Sequence, residues 1–478
     1  MRRYCYVFGT MLTLLVSFAA ANDDVTGQGF NPASTRTVTG TEIVNYKNGS
    51  VAVDLSATAI NAYIPSGSGY TTLPGTGTSS GTFTIPNVPT GFYLLQLGTG
   101  YLWTNSSTVN ADTNFGYRSD NVAADPNGTF LSFDLTNLNS WQSTDFFEVF
   151  CSNNNSFEFF PANPGDTTLT GTFNYFGYLS SAAEGDQYYA AQLATQTVGG
   201  YPMTALTRFI APPKFTQTQD STTLIDGNLK AIAQTHTLEA NINGADLLAS
   251  ALAANPKATL YASDFGLDAF PGSFAHGQTT ATPDLVVYGG FPTITSNGDL
   301  GPVFYGNPYP ATWPLFMIYA YEAETNYKAP GATSSAPIIT GTFGLTTNLP
   351  SASNPIAPLV GVVQTPSVNG KNFFGNLRSV GASPQLRWSA PAVGTATYYL
   401  IAVYQLSNVS GSTQVLGVAS LSTQQPSLRI PPGLLSSGQT YVFAVTAYYI
   451  PGLNFAKTPY YMGPTTAAAG VISGMMQP

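Results

Sequence analysis

From Thr325 to Pro478 the chain has no Asp or Glu, although 24 acidic residues lie between Asp23 and Glu324. The same tail carries Lys328, Lys371, Arg378, Arg387, Arg429 and Lys457, inside a chain whose net charge is −9. A step in charge of this kind marks a separate module at the carboxyl end. Charge of either sign is scarce: Asp, Glu, Lys and Arg make up 8% of the residues, against about 25% in ordinary proteins. The acidic balance excludes a nucleic-acid partner, because phosphate neutralisation needs clustered Lys and Arg.

Histidine is limited to His236 and His276, and no H-E-x-x-H or C-x-x-C spacing occurs, so the usual zinc motifs are excluded. His236 falls in an alternating run, Ala233 to Leu238, with its ring on the outer face. His276 sits in a loop, and both are read as structural or solvated. Cysteine is limited to Cys5 and Cys151. Arg2-Arg3, the apolar run Tyr4 to Phe18 and Ala19-Ala20-Ala21 read as a signal peptide over residues 1–21. Cys151 is then the sole cysteine of the mature chain, no intramolecular disulfide can form, and the thiol is expected as a small buried hydrophobe. No later apolar run reaches the roughly 18 residues of a membrane-spanning helix, so no integral membrane segment is expected after signal cleavage. The expected location is secreted or cell envelope.

Aromatic residues, at 13%, are plentiful, as are Gly, Ser, Thr and Asn. A disordered chain would have fewer rings and more charge. Short β-branched and aromatic runs bounded by Gly, Pro, Ser or Asn recur along the sequence and predict an all-β, multi-domain β-sandwich fold. One short helix is expected from Gly244 to Ala254, with Asn243 as its cap and Leu247, Leu248 and Leu252 on one face.

In residues 22–104 the segment Gly81 to Leu97, GTFTIPNVPTGFYLLQL, is the most specific in the chain. It resembles the carboxypeptidase regulatory-like, transthyretin-like β-sandwich, and the preceding Ala57 to Thr72 fits the second strand and variable loop of that family. The resemblance implies a structural or presenting domain without an active site. In residues 356–478, a linker and a last module, Pro384 to Trp388, Thr397 to Tyr404, Leu428 to Pro431 and Gln439 to Ala447 resemble a fibronectin type III-like sandwich. Trp388 matches that family's core tryptophan, and Leu435 with Tyr441 its tyrosine corner. The family's adhesive Arg-Gly-Asp loop is absent, so integrin binding is not implied. Residues 105–355 resemble no family; Thr129 to Leu135, Thr170 to Phe176 and Leu315 to Tyr321 read as strands. A single β domain, two sandwiches or a small propeller all fit this region. The Pro-, Ser-, Gly- and Ala-rich stretch from Ala329 to Pro366 reads as the linker before the last module.

Several constellations bear on chemistry. Gly77-Thr78-Ser79-Ser80-Gly81 satisfies the nucleophile-elbow pattern, but its context is a hairpin loop rather than strand–turn–helix. Asp264 with Asp268, and Glu322 with Glu324, are close enough in sequence to pair as a glycosidase acid and base; otherwise they are solvated charges on a strand. Asp112, Asp120, Asp125 and Asn127 supply oxygen ligands that calcium would take, without the standard loop, so whether a metal binds is left open. Tyr305, Tyr309 and Trp313, in the dense run Phe304 to Pro314, are the candidate ligand-binding aromatics, since flat exposed rings stack on sugars. In adjacent tyrosine pairs one ring is exposed unless another layer covers it. Sequons occur at Asn48, Asn105, Asn127, Asn154 and Asn408.

The reading is an exported structural or interaction protein that presents surfaces rather than reacting. It has no catalytic residue and no cofactor, and its partner is a glycan or an envelope or surface protein. The alternative is a secreted carbohydrate-binding protein or hydrolase with its active region in 105–355. An outer-membrane barrel is disfavoured, because ten-residue alternating spans are irregular and the sequence closes on Met-Met-Gln-Pro rather than on an aromatic.

Overall fold

The computed structural model describes residues 34–67, 69–272, 281–289, 292–455 and 465–478. The expected signal peptide, His276, Tyr460 and Tyr461 lie outside them. The described chain is nearly all β, as expected, with a single α-helix among the described residues, Gly244–Leu252.

One sheet of 17 strands runs through the whole molecule. It starts at Ser156–Phe160 and proceeds through Phe146–Cys151, Tyr189–Val198, Tyr201–Ile210, Asp284–Tyr288, Thr259–Ala269, Leu315–Tyr327 and Ala336–Thr346. Thr465–Ile472 then bridges Ala336–Thr346 to Thr440–Tyr449, followed by Tyr398–Val409 and Ser412–Thr423. Ser412–Thr423 pairs in parallel with Gly100–Thr104, which leads to Tyr93–Leu97, Ile60–Ser66 and the edge strand Gly69–Pro74. The spatial order is therefore middle, carboxyl and amino region, which differs from their order in sequence. A two-residue strand, Lys230–Ala231, completes the sheet beside Tyr201–Ile210.

Smaller sheets cover this ribbon and enclose separate cores. Thr35–Thr41 with Thr82–Pro89 closes the amino-terminal sandwich over Val38, Ile85, Tyr93 and Leu95. Phe130–Thr136, flanked by Thr168–Asn174 and Thr222–Asn228, covers Phe147, Val149 and Cys151. His236–Asn243, Asn297–Tyr305 and the helix cover Ala191, Leu193, Leu267 and Tyr319. Gln364–Val368 with Gln385–Ser389 covers Ile401, Phe443 and Val445. The middle region thus packs as two sandwiches sharing strands: in Tyr189–Val198, Ala190 points to one core and Ala191 to the other.

Alternation explains why so many strands carry large residues on both faces. Ala62, Ile64, Leu95 and Leu102 fill the amino-terminal core, while Tyr63, Leu94 and Tyr101 from the same strands enter the carboxyl-terminal one. Tyr70 Oη also donates to the Arg429 carbonyl at 3.0 Å. The tyrosine pairs divide in the same way, Tyr188 and Tyr189 into different cores, and Tyr398 and Tyr399 likewise.

Two expectations need correction. The stretch Ala329 to Pro366 is not a plain linker, since Ala336–Thr346 is an eleven-residue strand in the central sheet. Its Thr and Gly residues suit a ladder in which the Tyr319 ring lies against Gly344, where a Cβ would come within 2.1 Å of it. The helix is present, but Asn243 makes no side-chain cap; Asn297 Oδ1 accepts from the Ala245 N–H at 2.9 Å instead. A cap contributed across space satisfies the same free N–H groups. Leu247 is fully buried, Leu248 half-buried and Leu252 exposed.

In the carboxyl-terminal module Trp388 is buried and meets Tyr399 edge-on at 5.2 Å. Tyr441 Oη accepts from the Ser436 N–H at 2.9 Å beside buried Leu435. Both features are those the fibronectin resemblance implies.

Candidate functional site

The residues with the most chemistry sit on the middle of the central sheet. In Thr259–Ala269, Phe265, Leu267 and Ala269 enter the core, so alternation turns Asp264 and Asp268 to the other face, with Gly266 between them. In Leu315–Tyr327, Met317, Tyr319, Tyr321 and Ala323 enter the core, and Glu322 turns outward in the same way. Glu322 stands opposite Ala262, and Asp264 opposite Ala320. A register shift after Leu267 sets Asp268 directly across from Asp284, and Glu148 closes the row.

Contacts along the row are specific. Asp268 Oδ2 accepts from Thr282 Oγ1 at 2.9 Å, while Asp268 Oδ1 is buried without a hydrogen-bond partner. Glu148 Oε2 receives a long hydrogen bond of 3.4 Å from the Asp284 N–H, and Tyr309 Oη donates to its Oε1 at 3.5 Å. No Lys, Arg or His among the described residues forms an ion pair with any of the five; both ion pairs found there belong to Arg118.

Electrostatics follow from this crowding. Burial, then the Glu322 charge, pushes Asp264 up to about 8. Burial alone lifts Glu322 to about 7. Asp268 and Glu148 are held well above the ordinary carboxylate range by burial and then by the Asp284 charge. Desolvation penalises each charged form, and every near neighbour is another acid. The row therefore offers protonated and ionised carboxyls side by side near neutral pH, which is the chemistry of general acid–base exchange.

Rings wall the Glu148 end. Tyr309 meets Phe150 at 5.6 Å and Phe209 at 5.5 Å, and stacks on Trp313 at 5.6 Å. Of the three candidate aromatics, Tyr309 and Tyr305 are 6% and 3% exposed and belong to the core, whereas Trp313 is half-buried at its rim. Tyr305 stacks on His236 at 5.3 Å, and that histidine is exposed on the outer face.

The remaining constellations are not brought together. Gly77 to Gly81 forms the hairpin expected, the Thr78 N–H donating to the Thr82 carbonyl at 2.9 Å. Asp112 accepts from the Ile43 N–H, Asp125 from the Asn127 N–H, and Asp120 pairs with Arg118. No cluster of three or more His, Cys, Asp or Glu among the described residues is arranged to hold a metal ion. Glu324 is half-buried and receives a long bond from Asn326. Cys151 is buried, and burial pushes its thiol up to about 11. Asn154 is fully buried, so that sequon is closed in the folded state. No helix among the described residues is long and apolar enough to cross a membrane.

Sequence reasoning marked Asp264, Asp268 and Glu322 by spacing, and it missed Glu148 and Asp284. Glu148 lies in Phe146-Phe147-Glu148-Val149-Phe150, and a lone acid inside an aromatic run was the signal available.

No family model matches the chain, and no curated protein matches it. Among solved structures, the crystal structure of the FN1–FN3 domains of chicken CNTN1 is similar at 12% identity, over 69% of this chain and 90% of that one, with a TM-score of 0.13. A likeness at that level carries no argument.

Proposed function

We propose that this chain is an exported structural or interaction protein. In this reading a carboxypeptidase regulatory-like sandwich (22–104) and a fibronectin type III-like module (356–478) flank residues 105–355 and present surfaces to a glycan or to an envelope or surface protein. The supporting observation is the continuous sheet: backbone hydrogen bonds, rather than flexible linkers, tie the three regions into one stiff body. A body of that kind holds distant surfaces in fixed relation, as a scaffold must. Large apolar side chains on its outside, among them Phe159, Phe176 and Leu416, are suited to contact with a partner.

Cell fractionation with amino-terminal sequencing of the native product tests the reading. A processed chain outside the cytoplasm agrees with it, and an unprocessed cytosolic chain overturns it.

The carboxyl row supports a second reading, a secreted hydrolase centred in 105–355. A polysaccharide and ester screen on the full mature chain separates the two. Turnover lost in Asp264→Asn at unchanged melting temperature favours the hydrolase.

A further inference from the structure

The amino- and carboxyl-terminal modules meet at a short parallel joint, where Gly100, Tyr101 and Leu102 pair with Ser420, Leu421 and Ser422. Beside it lies a cleft of about 320 Å³, lined from both modules. The size is that of a site for a small ligand, and module junctions are where such sites concentrate.

Its shape has a structural cause. The ladder between Tyr398–Val409 and Ser412–Thr423 slips between Val403 and Tyr404, because Val403 faces Ala419 while Tyr404 faces Gly417. Val418 is the extra residue of this bulge, which bends the strand at the cleft wall. Gly98, in the left-handed region at φ 60°, turns the chain back on the opposite wall.

The lining is apolar along Val53, Leu55, Leu97 and Val418, and Thr58, Thr99, Ser420, Tyr404 and Glu42 also border it. Glu42 is fixed through its backbone, its N–H donating to the Gly81 carbonyl at 2.7 Å and its carbonyl accepting from Val53 at 3.1 Å. Its carboxyl takes no hydrogen bond from the described residues, and the charge that acts on it is another acid, Asp112. No Lys, Arg or His lines the cleft. An anion is repelled there, and a fully hydroxylated ligand leaves its polar groups against the aliphatic wall. A cation on an apolar body satisfies both the carboxylate and the wall.

We propose that this cleft is a binding site for a small organic amine, its ammonium group held at Glu42 and its apolar body between Leu55 and Val418. The site is separate from the carboxyl row and independent of the reading given for the whole chain.

Titration calorimetry on the full mature protein at low ionic strength, with 2-phenylethylamine, 2-phenylethanol and 3-phenylpropionate as matched probes, tests it. The amine is expected to bind roughly tenfold or more tightly than the alcohol, and the propionate not to bind. Glu42→Gln, isosteric and with its backbone bonds intact, brings the amine to the level of the alcohol. Val418→Trp fills the cleft and abolishes both, and Asp264→Asn changes neither. Equal binding of amine and alcohol, amine binding that survives Glu42→Gln, or no heat with any probe at millimolar concentration overturns the proposal.

Discussion

Arg118 Nη2 lies 3.0 Å from Asp186 Oδ2, with both side chains buried. Arg118 Nε reaches the other oxygen at 3.3 Å, so the contact is a two-point fork. Around it, Asn153 Nδ2 donates to Asp186 Oδ1 at 2.7 Å, and Lys47 Nζ donates to Asn153 Oδ1 at 2.7 Å. The network fastens the amino-terminal module to a hairpin of the middle region. Asp186→Asn leaves the buried guanidinium only its ion pair with half-exposed Asp120 and is expected to cost about 3 kcal/mol in urea unfolding. Arg118→Met with Asp186→Leu together are expected to recover most of that loss, because the expense lies in a buried charge deprived of its buried partner.

The carboxyl row sets the pH dependence. Its groups titrate higher in the folded chain than their unfolded values of about 4, so the folded state holds more protons between about 4 and about 8. Stability therefore falls as pH rises through that window. The groups facing one another are Glu148, Asp264, Asp268, Asp284 and Glu322, with Tyr309 at one end. Calorimetric melting is expected to give a higher Tm at pH 5 than at pH 8, and Asp264→Asn a shallower slope. A Tm that climbs with pH contradicts this.

Tyr101 belongs to the amino-terminal strand Gly100–Thr104, yet it is buried in the carboxyl-terminal core. Tyr101→Ala is expected to remove about 3 kcal/mol of stability, comparable to other large aromatic truncations. The loss should appear as faster hydrogen exchange in Thr440–Tyr449, far away in sequence. Loosening confined to residues 34–110 would show instead that the two modules are energetically independent.

Tyr441→Phe removes the acceptor of the Ser436 N–H and nothing else of comparable size. Leaving that donor unpaired is expected to lower stability by about 1–3 kcal/mol in urea unfolding. A neutral effect would mean that water reaches Ser436.

Local features were legible because they depend on neighbours in sequence. Alternation located the strands, turn formers bounded them, and Trp388, Tyr441 and the hairpin at Gly77 to Gly81 lie where short patterns put them. What was hidden depends on register between distant segments. Nothing in Gly100 to Leu102 announces Ser420 to Ser422 as its partner, and Glu148 is carried to Asp284 only by intervening strands. Asn297 displaced Asn243 as the helix cap for the same reason. The aromatic run Phe304 to Pro314 resembled an exposed platform, but Tyr305 and Tyr309 are spent on burial, and periodicity alone does not say which layer lies above a strand.

Thr465–Ile472 occupies the slot between Ala336–Thr346 and Thr440–Tyr449, and among the described residues no other strand joins those two. Ribosomal synthesis delivers this keystone after both of its neighbours. Until it docks, two long ladders stand open, ready to recruit foreign strands. Closure of the ribbon thus waits for a segment made after both of the strands it bridges, and whatever chaperones the nascent polypeptide must shield those raw borders until then.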